Sequence, residues 1–287
     1  MQLLQRWAQT GGRAERRGEN RILLGIGISI VSLVGAGWEV SPAFAMGASG
    51  GDGGHPLSVA GGIAAPGAST AIFQNPAGIA YNERARILLA VEGPGTTGSV
   101  PTADAGLLYG QDSFGLGVGI SHELGNANGT GAFYGLGVKT ASDQFALGVS
   151  GESSFSPTSG TSINVGVLFR PQPAWHLGIT AFDVGSGGRE WGFGAGYEIS
   201  SNAMLVMDFI ANSGFANFAA EPGLSVGTRD ASIMISYGFR LNGGYVYSRT
   251  LREGLSAGAS LALGNSMLLQ AYYNAINKYY VAVVFGI

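Results

Sequence analysis

Cysteine is absent from the 287 residues, which excludes a disulfide framework, a thiolate nucleophile and any Cys metal site. Charge is scarce as well: Asp, Glu, Lys and Arg make up 11% of the chain, against about a quarter in ordinary soluble domains. Long apolar runs are missing beyond residue 38, where nothing approaches the roughly 20 consecutive apolar residues of a membrane helix. There is no basic patch either. Five of the 15 basic residues (Arg6, Arg13, Arg16, Arg17, Arg21) lie at the extreme N-terminus, and acidic residues outnumber the rest, which argues against nucleic acid as a partner. What the chain does have is 46% hydrophobic residues and 50 glycines spread over its whole length. Hydrophobicity delivered in short pieces, with little charge, suits a membrane-embedded wall of strands.

Residues 1–45 have the layout of an export signal: a basic start, an apolar stretch from Ile22 to Trp38, and Ala43 and Ala45 in a small-x-small cleavage pattern. Met46 is then the expected mature N-terminus, and the expected compartment is the outer membrane of a Gram-negative-type cell. Residues 46–83 start Gly-rich and sustain no period of 2 or 3.6, so they read as an irregular folded plug. Within them Asn75 suits a helix N-cap, Pro76 a first helical position and Gly78 a sharp exit.

From residue 84 to 287 the pattern becomes one of alternating runs bounded by turn residues. The clearest runs are Phe114–Ile120, Ile163–Phe169, Trp191–Tyr197, Ile233–Phe239 and Tyr279–Ile287. Weaker runs over 85–91, 104–110, 131–139, 144–151, 175–183, 202–211, 222–228, 254–263 and 266–276 bring the total to about fourteen strands, in a range of 12–14. Short links such as Asp112-Ser113 and Gly264-Asn265 alternate with longer ones such as 92–103, 184–190 and 212–221. Only Asn277-Lys278 breaks this alternation. Short turns at one end and longer loops at the other mark a membrane barrel, and an even strand number puts both ends of the wall on the periplasmic side.

One face of these runs is large and apolar, with Val118, Ile120, Val165, Leu205, Ile233, Ile235, Val281 and Phe285 among its residues. The other is built mainly of Gly and Ser, as at Gly115, Gly117, Gly166, Gly178, Gly194 and Gly258. Such a small-residue face makes a poor solvent surface but leaves room in a lumen for the plug. Leu168, Phe182, Met204, Val206, Met234, Leu268 and Tyr272 fall on the same inward parity and are the candidate ligand-lining residues. Six charges share it: Arg86, Lys139, Arg170, Glu198, Asp208 and Arg240. Most lie near strand ends, where they would solvate the rim or tether the plug through ion pairs, and they form no ring. His55, His122 and His176 are scattered over different elements, and Gly192-x-Gly194-x-Gly196 lies inside a strand pattern. The chain therefore offers no catalytic residues, no metal site, no cofactor loop and no sign of an enzyme.

The segment Ala68-Ser69-Thr70-Ala71-Ile72-Phe73-Gln74-Asn75-Pro76-Ala77-Gly78-Ile79-Ala80 resembles the hatch of the FadL-type family of outer-membrane transporters for long-chain fatty acids and aromatic hydrocarbons. Phe169-Arg170-Pro171-Gln172-Pro173-Ala174-Trp175 is similar to a periplasmic turn found there. The resemblance implies an all-β, transmembrane antiparallel barrel of fourteen strands, plugged by an N-terminal hatch whose key residues are Phe73, Asn75, Pro76, Ala77 and Gly78. It further implies an apolar ligand of the fatty-acid or aromatic-hydrocarbon class and a lateral wall opening. Outer-membrane lipid and, during biogenesis, the barrel assembly machinery would be its surroundings, and a homo-oligomer or a protein partner is left open. The alternative function is a structural scaffold barrel without transport. A third is a narrow general porin.

Overall fold

A computed structural model describes residues 62–67, 70–82, 84–93, 101–124, 129–155, 160–185, 189–228, 231–242, 254–264, 266–274 and 279–287. The expected export signal, the Gly-rich start of the plug, His55 and the Asn277-Lys278 link lie outside these residues. Fourteen strands follow one another: β1 (Arg86–Glu92), β2 (Thr102–Gln111), β3 (Phe114–Glu123), β4 (Thr130–Lys139), β5 (Phe145–Ser154), β6 (Thr161–Phe169) and β7 (Trp175–Phe182). The second half holds β8 (Glu190–Ser200), β9 (Ala203–Asn212), β10 (Phe218–Gly227), β11 (Ala231–Arg240), β12 (Gly254–Leu263), β13 (Met267–Asn274) and β14 (Tyr279–Gly286). Each pairs antiparallel with its sequence neighbours, and β1 pairs with β14 from Arg86↔Gly286 to Glu92↔Tyr280. The sheet is thus a closed barrel without a free edge, the arrangement that leaves no strand hydrogen bonds to be satisfied by lipid. Both ends of the wall meet at one rim, where Ile287 N–H donates to the Ala85 carbonyl at 3.0 Å.

That rim also carries the tight turns. Asp112 and Asp143 take up left-handed conformations there, with φ of 49° and 58°, which aspartate tolerates through its short polar side chain. We call it the turn end and the opposite rim the loop end. Several strands run past the bounds that their sequence pattern gives. β10 begins at Phe218 rather than at Pro222, because its proline lies inside the strand on the outward face. Glu92, Thr102 and Glu190 likewise belong to strands β1, β2 and β8.

The alternation sorts side chains as expected. Outward positions are apolar and uncovered: Ile120 is 55% exposed, Ile233 59% and Val149 42%. On a closed barrel this surface can meet only hydrocarbon, so the protein is an integral membrane barrel of the outer-membrane type. Aromatic residues frame the apolar band at both rims. At the turn end Trp175 packs on Tyr197 with ring centroids 4.7 Å apart, and at the loop end Phe215 meets Trp191 at 6.2 Å. Such girdles mark the two membrane–water boundaries.

Val149 lies mid-strand on the outward face of β5. Val149→Arg is expected to destabilise the barrel by about 2–4 kcal/mol in equilibrium unfolding from phospholipid vesicles. A loss below about 1 kcal/mol would place this face outside the hydrocarbon.

Candidate functional site

Two short helical segments fill one side of the lumen. Ala71–Gln74 forms a single helical turn, called α1 here, and Pro76–Tyr81 continues as a 3₁₀ helix, every residue from Ala71 to Ala80 being buried. Asn75 joins them. Its Oδ1 accepts from Ala77 N–H at 3.2 Å, capping the second helix, while Pro76 takes the first helical position, where a missing N–H costs nothing. The amide nitrogen of Asn75 does two further jobs: it donates to the Ile63 carbonyl at 2.7 Å and to the Val167 carbonyl of β6 at 3.0 Å. One fully buried side chain thus caps a helix, folds the hatch onto itself and fastens it to the wall. Gly78 serves a different purpose from the exit expected of it. The helix runs on past it, and a Cβ there would strike the ring of Pro66.

The wall makes room for main chain rather than for side chains. A Cβ at Gly166 would collide with Asn75 Oδ1, and one at Gly178 with the Ile63 carbonyl. Gly115, Gly137 and Gly148 stand in the same relation to Ile79, Ala80 and Pro76, so the hatch rests along β3 to β7 in backbone contact. Side chains fill the spaces between. Phe73 meets Phe133 edge-on at 5.0 Å within a group that includes Ile72 and Ile79. Ala77 and Ala80 pack with Ala146 and Leu168, and Ile63 with Phe182, Ile210 and Ala219.

The last residue of the 3₁₀ helix is held at the turn end. The Tyr81 ring lies under the Arg170 guanidinium at 3.9 Å and within 5.1 Å of Lys139 Nζ, and its hydroxyl donates to the Asp143 carbonyl at 2.9 Å. Lys139 in turn pairs with Asp143 at 2.8 Å. Burial raises the Tyr81 phenol above its ordinary value, against the opposing charge of Arg170, so it remains a donor. Lys139 and Arg170 therefore fasten the hatch through an aromatic face, where ion pairs were expected. Glu198 pairs instead within the wall, with His176 Nε2 at 2.8 Å. His122 hydrogen-bonds Thr130 at 2.9 Å. Arg86 sits at the turn end of β1, and Arg240 at the loop end of β11.

Of the seven candidate lining residues, Leu168 and Phe182 lie against the hatch. The other five come together across from it. Met204, Val206, Met234 and Tyr272 are buried in one cluster with Ala65, Leu88, Ala90, Tyr280, Ala282 and Val284, and Leu268 packs against it. Tyr272 and Tyr280 stack at 6.0 Å.

The loop-side half of the lumen differs in kind. Glu92, Asp104, Glu190, Asp208 and Glu221 are all buried there, together with Ser121, Ser150, Asn164, Ser236 and Ser256. Asp208 and Glu221 are register partners, and Ser236 Oγ donates to Glu221 Oε1 at 2.6 Å. The lumen thus does carry an acidic layer, which the sequence reading missed. Glu92 was left just outside its strand, Asp104 stood at the tip of another, and Glu190 and Glu221 were assigned to links, where a charge looks solvated.

The wall has one interruption beside this layer. Pairing between β10 and β11 passes from Ala220↔Phe239 to Gly223↔Ser236, leaving out Glu221 and Pro222. Proline has no N–H to give to the ladder. Pro222 thus has no N–H to give Tyr237, and the β10–β11 ladder lacks that one donated bond.

The Asn75 seat yields a sharp expectation. Asn75→Asp keeps the oxygen that accepts from Ala77 but sets a second oxygen against two carbonyls. Amide hydrogen exchange across 71–82 should speed up by a factor corresponding to about 2–5 kcal/mol of lost protection, while the barrel keeps its heat-modifiable migration. Unchanged exchange would remove Asn75 as the fastening point.

Comparison with known proteins follows the fold. No family model matches the sequence, and no curated protein matches it. Among solved structures the chain is similar to the Ralstonia pickettii toluene transporter TbuX, with a TM-score of 0.54 at 11% identity over 86% of this chain and 97% of that one. It is also similar to the Pseudomonas putida toluene transporter TodX, with a TM-score of 0.52 at 7% identity over 86% and 96%. The chain has the fold of these transporters, the plugged fourteen-strand barrel that its FadL-type resemblance implies.

Proposed function

We propose that the protein is a passive outer-membrane channel for small apolar or amphipathic molecules of the aromatic-hydrocarbon or fatty-acid class. The observation that carries this reading is the buried cluster of Met204, Val206, Met234, Leu268 and Tyr272 beside a seated hatch, in a barrel with the fold of two toluene transporters. A pore for hydrophilic solutes needs a wet interior along its length, whereas here an apolar zone lies below the polar one. In this reading the loop end faces outward and the turn end faces the periplasm. Phe73, Asn75, Pro76, Ala77 and Gly78 form the closure, and the unpaired stretch at Pro222 is the lateral way out of the lumen. The close seat of the hatch favours the second reading, a scaffold barrel with no flux.

Uptake of labelled toluene, a long-chain fatty acid and a small sugar by cells lacking the protein, with and without its restoration, tests the proposal. Restored uptake of toluene but not of the sugar is expected, and the fatty acid separates the two substrate classes. No difference for any solute, with the protein present in the outer membrane, would select the scaffold. The exit has its own test: Pro222→Ala returns the missing N–H, and its bond to the Tyr237 carbonyl should cut apolar uptake several-fold. Full uptake with the bond formed would rule out this exit.

A further inference from the structure

A buried serine stands against the apolar cluster. Ser225 points inward from β10, is fully buried, and is register-paired with Met204 on one side and Met234 on the other. Among the described residues its hydroxyl has no hydrogen-bond partner. Gly223 and Gly227 occupy the neighbouring inward positions of the same strand, so nothing on β10 covers it. The flanking thioethers are weak acceptors that cannot replace a hydrogen bond. A hydroxyl stripped of water in such surroundings is costly unless something else supplies its partner.

We propose that the apolar lumen cluster binds a small neutral molecule with an apolar body and a single hydroxyl, a phenol or a short alkanol, and that Ser225 Oγ hydrogen-bonds that hydroxyl. The assignment rests on the transport reading and narrows its substrate class. Met204 and Met234 flank the hydroxyl with unbranched, readily repacked side chains that can shift around a ligand body. Tyr272 and Tyr280 offer ring faces within the same cluster. A lone serine can exchange one hydrogen bond with a neutral hydroxyl in either direction. It cannot replace the hydration of a carboxylate, which would also have to pass Glu92, Asp104, Glu190, Asp208 and Glu221.

Phenol and toluene are nearly the same size and differ in the group that matters, so they serve as a matched pair, with benzoate as the charged control. Binding to the purified full chain in detergent is measured by calorimetry for the native protein and for Ser225→Ala and Ser225→Thr, alongside toluene uptake by cells. Ser225→Ala should weaken phenol roughly three- to tenfold and leave toluene within twofold, while Ser225→Thr keeps the native preference and benzoate fails to bind. If Ser225→Ala loses heat-modifiable migration, Ser225→Cys replaces it, with the same expected loss. Phenol affinity that is independent of residue 225 would mean that water alone serves the hydroxyl, and would overturn the inference. Toluene uptake would then still stand for the channel. Absence of both binding and uptake would overturn the two together.

Discussion

A carbonyl or a helix turn can lie directly on a β-strand only where the strand has no side chain beneath it. That constraint organises this protein. The inward faces of β3 to β7 carry glycine where hatch main chain or Asn75 lies directly on them, and side chains meet the hatch in between. The closeness of the contact is what allows one asparagine to reach both Ile63 and Val167. With any larger wall residue the amide would stand off from β6, and both carbonyls would have to find other partners in a dry interior, at a cost of about 1–3 kcal/mol each.

The same constraint divides the lumen. Where the hatch lies, apolar groups from plug and wall interlock in three small clusters. Across from it the larger cluster of methionine, tyrosine and aliphatic residues spans β9 to β14 and β1, with Ala65 contributed by the hatch among the described residues. Toward the loop end polar and acidic side chains line most of the wall, with Tyr272 and Tyr280 of the larger cluster level with Glu92. A solute entering from the loop end therefore meets hydrogen-bonding groups first and hydrocarbon second, an order that suits molecules with a polar tip and an apolar body.

The wall was legible in the sequence because lipid enforces a strict period of 2: Val165, Val167 and Phe169 cannot turn inward without emptying the lipid face. The cap at Asn75 was legible because Asn-Pro at a helix start is local chemistry. Its bond to Val167 lies 92 residues away in sequence and left no local trace. Pro222 hid the first residues of β10, since proline ordinarily marks a strand's end, and this one sits inside the strand at the loss of one donated bond to β11. The acidic layer was obscured for a related reason, its members lying next to loops where charge is unremarkable. Ser225 carried no signal at all, because an inward serine among glycines matches the rest of the inner face.

Glycine can be replaced only by something larger. The inner wall under the hatch is therefore open to mutational change in one direction alone, and at Gly166 or Gly178 each such change strikes main chain or a fixed amide, which cannot swing aside. The lipid face is the opposite case, since one aliphatic residue there serves nearly as well as another. Tolerance to substitution should then alternate residue by residue along β6 and β7, high outside and close to nil inside. A change at the seat would persist only together with a matching loss of bulk in the hatch.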